Sequence, residues 1–234
     1  MLDPVTPSRS LETHATHARR PGAPAPGTDN LPDLILIERA RAGDEAAIEA
    51  LIRRYGRRMY RVARSVIADE DRAESIVQEA YLSAFGDLAR YEPTGKFAAW
   101  LTRLAYQHAR LQRAGVRFLS AVAPNGAAAE DGQEVRELEH AIGCLPEVFR
   151  TVFVLRVIEG ISGIETAASL GVHETTVRTR LYRAHRRLHA ETVRRVRGAR
   201  TVLELPPARL ERLVARVLTH LPRGTLPAAA TPAP

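Results

Sequence analysis

The feature that most constrains this chain is residues 162–187, which read SGIETAASLGVHETTVRTRLYRAHRR. Ser162 is a favourable N-cap for a helix, and Glu165 three residues later completes a capping box. Gly171 then interrupts the helical pattern and suits a turn that needs a positive φ angle. The segment therefore predicts two helices joined by a tight turn.

The second of these helices has one apolar stripe, spaced by four, three and four residues: Val177, Leu181, Ala184 and Leu188. Arginines occupy the faces beside the stripe: Arg178, Arg180, Arg183 and Arg187. Ala167 in the first helix is small enough for the two helices to cross closely. This layout is typical of a DNA-binding helix-turn-helix, whose second helix enters the major groove. A plain helical hairpin with a solvated basic face is the alternative.

The charge of the chain favours a polyanionic partner such as nucleic acid. The 234 residues carry a net charge of +7, and the sequence pI is about 10.2. Lys96 is the only lysine, so the preference for arginine can also reflect a GC-rich coding sequence. The clustering is the better indicator, because residues 178–200 contain nine arginines and one acid, Glu191.

Reactive groups are sparse, so we expect no catalytic centre, no metal site and no cofactor. Cys144 is the only cysteine, which excludes an internal disulfide and is compatible with a reducing cytoplasm. No apolar run reaches the roughly 18 to 20 residues of a membrane span, and the N-terminus lacks the apolar core of a secretory signal. Three pairs have a spacing that suits metal but lack further ligands: His14 with His17, His140 with Cys144, and His185 with His189.

Helical periodicity predicts an all-α chain, with two small helical domains joined by a flexible linker. The predicted organisation is a disordered tail over 1–32, a first domain over 33–114, a linker over 115–133, a second domain over 134–197 that contains the helix-turn-helix, and an extension over 198–234. Before the helix-turn-helix, helices are predicted over 33–42, from the cap Asp44 to about 68, and over 72–88, 97–113, 134–145 and 146–159. The arginines of the helix after Asp44 are expected to form a solvated basic face.

The extension contains one amphipathic helix, with apolar residues three and four apart: Leu210, Leu213, Val214, Val217, Leu218 and Leu221. A lone amphipathic helix must cover its stripe. We expect it to dock on one of the two domains, and a regulatory or partner-binding helix is the alternative.

Three segments resemble bacterial sigma factors. Residues 71–85, DRAESIVQEAYLSAF, are similar to part of region 2, and residues 96–103, KFAAWLTR, are similar to the stretch that follows it. Residues 145–156, LPEVFRTVFVLR, together with the helix-turn-helix, are similar to region 4. With no third domain between them, the arrangement resembles the extracytoplasmic-function (ECF) group over about residues 34–191. The family is expected to bind core RNA polymerase and direct it to promoters without catalysing a reaction.

The resemblance implies three sets of binding residues. Those that would contact the clamp helices of the largest polymerase subunit are Asp71, Glu74, Ile76, Val77, Gln78 and Glu79. Those that would open and read the −10 element, which needs stacking surfaces and cations, are Lys96, Arg103, Tyr106, Gln107 and His108. Those that would read the −35 element in the major groove are Glu174, Thr175, Thr176, Arg178, Arg180 and Arg183.

Other interpretations remain at the level of the sequence. Phe97 and Trp100 share the buried stripe and are expected in the core, as is at least one of Ile76 and Val77. A stand-alone helix-turn-helix regulator would bind duplex DNA without polymerase. An enzyme acting on nucleic acid would need a convergent reactive set, which the sequence lacks.

Three positions depart from the family pattern. An acid is usual where Ser75 stands, and Asn and Asp are frequent where Gln107 and Leu111 stand, which bears on polymerase docking and on −10 specificity. Many members are held by an anti-sigma factor, and the C-terminal helix is an alternative for that role.

Overall fold

The computed structural model describes residues 28, 30–92, 96–114, 130–198 and 201–221. All regular secondary structure in these ranges is helical, so the all-α prediction is confirmed. The predictions for residues 1–27 (with His14 and His17), for 115–129 and for 222–234 lie outside the described residues.

Up to residue 114, the described residues form four α-helices and one short 3-10 helix: α1 Asp33–Arg41, α2 Glu45–Val66, α3 Glu70–Gly86, the 3-10 helix Leu88–Arg90, and α4 Phe97–Ala114. Asp44 caps α2, because its carboxylate accepts hydrogen bonds from the amides of Ala46 and Ala47. Asp69 caps α3 through the amide of Arg72, so this helix begins two residues before the predicted start.

Residues 130–198, the described part of the second half before the extension, form five α-helices and one π-helical turn: α5 Glu130–Gly143, α6 Glu147–Phe153, the π-turn Val154–Ile158, α7 Gly163–Leu170, α8 Glu174–Arg187 and α9 Ala190–Gly198. Helix α5 begins inside the stretch predicted as linker, at two acids, Glu130 and Asp131, a residue type that favours a helix N-terminus. Leu188 is extended, with ψ at 138°, and separates α9 from α8.

The predicted helix-turn-helix is α7 and α8. The Ser162 hydroxyl accepts a hydrogen bond from the amide of Glu165 at 3.1 Å, and Gly171 ends α7 with φ at 65°. The other half of the predicted capping box is wrong. The two carboxylate oxygens of Glu165 bind Arg58 of α2 at 2.9 Å and Lys96 at 3.0 Å, so this acid joins the two halves of the chain.

The two halves share an apolar core. Side chains from α1 to α4 form one cluster with residues of the second half: Val152, Leu155, Ile161, Ala167, Leu170 and Val177. A second cluster holds the remaining helices of the second half together through Leu138, Phe153, Val154, Ala184 and Val196. The linker between the domains therefore connects units that lie against each other.

The basic face of α2 lies largely against the second half, so the expectation of a solvated face is wrong. Arg61 pairs with Glu159 at 2.6 Å, and Arg64 lies 3.5 Å from Glu139. The arginine side chains are only 12% and 10% exposed. Helical periodicity shows that these arginines avoid the stripe of their own domain, but it cannot show that a second domain covers them.

The amphipathic helix of the extension is α10, Pro207–His220, and it packs on α2 and α3. Leu213, Val214 and Val217 are buried in the first apolar cluster. The expectation that this helix docks on a domain is confirmed.

Candidate nucleic-acid interface

The outer face of α8 carries the residues predicted to read the −35 element. Four are exposed and two are half-buried: Glu174, Thr175, Arg178 and Arg183, then Thr176 and Arg180. The opposite face is closed, because Val177 is 2% exposed and Ala184 is fully buried. The packing of α8 therefore depends on its apolar face and not on these arginines.

A shallow cavity lies along the same face of α8. Phe149 of α6 forms one side of it, and Thr176, Arg180 and Arg183 form the other. The concave surface combines an aromatic group with two guanidinium groups. Such a surface suits a base edge or a phosphate, since Arg is a frequent partner of both.

Glu174 is oriented toward α7. A Cβ atom on Gly163 would lie 2.8 Å from the Glu174 carboxylate, so a side chain at position 163 would make that carboxylate shift. The carboxylate stands beside the first residue of α7, where a negative charge is favourable. Glu174 is therefore exposed on α8, and its carboxylate lies next to the first turn of α7.

Helix α4 and the residue just before it bring three of the predicted −10 residues against the second half. Lys96 pairs with Glu165 at 3.0 Å, and the Tyr106 hydroxyl lies 3.5 Å from Glu147 of α6. The guanidinium of Arg103 lies 2.7 Å from the point where a Cβ on Gly171 would stand. Tyr106 is 7% exposed as a result.

The other two predicted −10 residues lie apart from this contact. Gln107 is exposed. His108 is turned toward α3, with Nε2 3.2 Å from the Ser83 hydroxyl and Nδ1 3.7 Å from Glu79. Lys96, Arg103 and Tyr106 therefore lie together against α6 and α7, whereas His108 faces α3.

Two further arginines of α4 lie beside the Glu147 carboxylate, Arg113 partly covered and Arg110 exposed. Arg113 forms an ion pair with Glu147, and Arg110 lies 3.8 Å from the same carboxylate. The Arg110 guanidinium also lies 5.8 Å from the centre of the Tyr106 ring. Their spacing of four and seven residues from Tyr106 is the sequence signal that places them on its face.

An aromatic cluster supports the start of α4. Tyr91, Phe97 and Trp100 have ring centres 4.7 to 5.5 Å apart, and Phe97 is 3% exposed while Trp100 is half-buried. The prediction that Phe97 belongs to the core is confirmed, and Trp100 packs at its edge.

The predicted polymerase-binding residues divide into two groups on α3. Ile76 and Val77 are fully buried and belong to the core, whereas Asp71 is 85% exposed. Gln78 is half-buried and Glu79 is exposed. Only the polar members of this set therefore have side chains at the surface of α3.

Glu74 is the exception among the polar members, because it is 3% exposed. It pairs with Arg209 at 3.0 Å and with Arg212 at 3.2 Å, both from α10. Arg209 also bonds to Asp71 at 2.6 Å, and this hydrogen bond lowers the pKa of the Asp71 carboxyl.

Neither a metal site nor a membrane-spanning helix is found among the described residues. No cluster of three or more His, Cys, Asp or Glu suited to a metal ion occurs among them. Cys144 and His140 stand 3.7 Å apart in an exposed place, without a third ligand. Within the same ranges, none of the helices is both long and apolar enough to cross a membrane.

Comparison with known proteins identifies both halves. Residues 51–115 match the family described as Sigma-70 region 2, and residues 135–188 match that described as Sigma-70, region 4. The ECF RNA polymerase sigma factor SigE of Mycolicibacterium smegmatis is 32% identical over 162 residues, which span 62% of this chain and 63% of SigE. The chain thus matches less than two thirds of the length of that relative.

Two other relatives are matched over most of their length. The ECF RNA polymerase sigma factor SigW of Bacillus subtilis is 27% identical over 175 residues, which span 66% of this chain and 94% of SigW. The solved structure of CnrH in complex with the cytosolic domain of CnrY superposes with a TM-score of 0.55 at 28% identity, over 66% of this chain and 93% of CnrH.

Two packed helical domains with an exposed basic helix-turn-helix define a DNA-binding transcription factor. The order of the two matched regions is more specific than the helix-turn-helix alone. The chain belongs to the sigma-70 family, in its ECF group, whose members direct RNA polymerase to promoters.

Proposed function

We propose that this sigma factor reads the −35 element with the outer face of α8. The observation that carries the proposal is the division of that helix, with Val177 and Ala184 buried and Arg178 and Arg183 exposed. A helix held in this way can enter the major groove without disturbing its own packing. Its arginines can then bind guanine edges or phosphates.

The −10 element falls to α4 in this proposal. Lys96, Arg103 and Tyr106 offer cations and an aromatic face, the groups that bind separated strands. In the structure, Glu165 and Glu147 occupy the places beside Lys96 and Tyr106. A DNA phosphate would compete with these carboxylates, so reading the −10 element requires α6 and α7 to move away from α4.

Polymerase docking falls to the exposed polar side of α3, around Asp71 and Glu79. The chain then acts by binding and positioning, and no catalytic step is assigned to it. Such a task places it with RNA polymerase in the cytoplasm. CnrH is found in complex with the cytosolic domain of CnrY, and by analogy we propose a protein partner, an anti-sigma factor, for this chain.

The test is transcription in vitro with purified bacterial core RNA polymerase and promoter templates selected by the complex. Arg178→Ala should reduce transcription about tenfold, as expected for the loss of one base or phosphate contact. On templates whose −35 element is scrambled, the wild-type protein and the variant should give the same low yield.

Arg194→Ala is the matched control, because Arg194 is exposed on α9 and outside the assigned set. It should transcribe within about twofold of wild type. The stand-alone regulator is the competing function. Tight sequence-specific binding to duplex DNA without any association with polymerase would establish that function instead.

A further inference from the structure

Helix α10 covers part of the first domain with a matched apolar face. Val217 is fully buried and Leu213 is 1% exposed. Gly56 of α2 leaves room for the contact, since a Cβ at that position would lie 3.0 Å from a methyl group of Leu210. The helix therefore docks at a defined place on α2 and α3.

The polar edge of α10 is complementary in charge to α3. Arg209 lies 3.2 Å from Glu70, 2.6 Å from Asp71 and 3.0 Å from Glu74. Arg216 approaches Glu74 as well, at 3.4 Å. One end of α3 is thus neutralised by arginines from a segment some 140 residues further along the chain.

Arg209 stands at a position where its charge favours the contact with α3 but not the formation of α10. It stands in the first turn of α10, where no acid is present and where a positive charge opposes the helix dipole. Helix formation alone would favour an acid at this position. The contact with three carboxylates of α3 offsets that disadvantage.

The carboxylates held by Arg209 include two of the residues assigned to polymerase docking, Asp71 and Glu74. We propose that α10 is a built-in competitor that covers Glu74 and neutralises Asp71, and so blocks one end of the polymerase-binding surface of α3 until core polymerase displaces it. This inference rests on the proposed function, since it takes α3 as the docking surface. With α10 docked, only the fraction of molecules with the helix displaced can bind, so the apparent affinity is reduced.

The connection to α10 couples this displacement to the second domain. Val202 and Leu203 belong to the apolar cluster of the second half, whereas Leu205 two residues later belongs to that of the first. The amide of Leu203 also donates to Glu139 of α5 at 2.8 Å. The segment that joins the two clusters is short, so α10 cannot move far without loosening the contact between the domains.

The first experiment compares full-length variants for binding to purified bacterial core RNA polymerase. Arg209→Glu reverses the charge that faces α3 and also suits the start of α10, so the helix can form but should dock more weakly. We expect it to bind polymerase about tenfold more tightly than wild type. Ala215→Glu, on the exposed side of α10, is the matched control and should bind within about twofold of wild type.

The second measurement needs no variant. Hydrogen exchange on the wild-type protein should show protected amides in α10 in the free protein and loss of that protection once core polymerase binds. This result decides the question even if the charge-reversed variant does not fold.

The outcomes separate the inference from the function on which it rests. If none of the three proteins binds polymerase, the proposed function fails and the inference with it. If wild type binds but Arg209→Glu binds no more tightly, the inference alone is overturned. Continued protection of α10 in the wild-type complex has the same consequence.

Discussion

Arg58 of α2 and Glu165 of α7 form an ion pair between residues 107 positions apart in the chain, with Nη1 and Oε1 2.9 Å from each other. Glu165 also holds Lys96, the first of the predicted −10 residues, and its side chain is 11% exposed. One acid therefore links α7, the first helix of the helix-turn-helix, to α2 of the first domain. In a sigma factor these two units must bind separate promoter elements.

Glu165→Gln should loosen this contact, because it removes the charge that two cations share. The Lys96 side chain is 72% exposed, so water screens part of the interaction, and we expect a loss of about 1 kcal/mol in the free energy of unfolding, with a fall in the unfolding midpoint of a few degrees. Thermal unfolding followed by circular dichroism measures the change. Small-angle X-ray scattering should show a larger radius of gyration as the two domains separate more often.

Glu92→Gln is the control, because Glu92 is an exposed acid of the first domain. Its radius of gyration and unfolding midpoint should equal those of wild type. An unchanged radius for Glu165→Gln would mean that the apolar contacts hold the domains together without the ion pair.

The same contact should depend on pH. Burial raises the pKa of Glu165, but hydrogen bonds from Lys96 and Arg58 outweigh that effect and hold the pKa below the usual glutamate value of 4.5. A carboxyl with a lowered pKa stabilises the folded state above its unfolded pKa, and this stabilisation is lost as the pH falls through the folded pKa. Hydrogen bonds from Arg209 and Arg53 also lower the pKa values of Asp71 and Glu211, at the α10 contact.

We therefore expect both contacts to be complete at neutral pH and to weaken below about pH 4.5. Scattering profiles between about pH 7 and pH 3.5 should show the expansion begin in that window. Glu165→Gln should expand less on acidification than wild type, since one of the titrating groups is gone. Equal expansion of both proteins would assign the effect to other acids.

What the sequence predicts well has a local cause. Asp44 and Ser162 cap helices because a side chain reaches amides two or three residues away, and Gly171 adopts the positive φ that its turn needs. The burial of Ile76 and Val77 follows from their place on the apolar stripe of α3. The exposed face of α8 follows from the periodicity of its stripe in the same way.

What the sequence misses has a distant cause. Glu74 is buried because Arg209, 135 residues later, lies over it, and no local pattern connects the two. The pairing of Arg61 with Glu159 likewise depends on how two domains meet. Periodicity shows which face of a helix avoids its own core, but not which other surface will cover that face.

Gly171→Ala should destabilise the helix-turn-helix for two reasons. A φ of 65° is unfavourable for alanine, and the added methyl group would stand 2.7 Å from the Arg103 guanidinium. The arginine can swing aside, so backbone strain dominates, and we expect a loss of about 1 kcal/mol in the free energy of unfolding. Chemical denaturation measures it.

Gly86→Ala is the comparison, because a Cβ there meets nothing within 4 Å and its φ is not positive. That substitution should leave the free energy of unfolding nearly unchanged or slightly higher. Equal losses from both variants would contradict the role of the turn.

Ser65 and Thr151 offer the most direct test of domain contact, because their hydroxyl oxygens lie 3.0 Å apart across it and both residues are buried. Ser65→Ala leaves the Thr151 hydroxyl without this partner, and Thr151→Val does the converse. Each should lower the free energy of unfolding by about 1 to 2 kcal/mol.

The double variant should cost less than the sum, because no orphaned hydroxyl remains at the pair, and the cycle should yield a coupling of about 1 kcal/mol. If the domains were apart in solution the two substitutions would be independent, and a coupling of zero would contradict the closed arrangement.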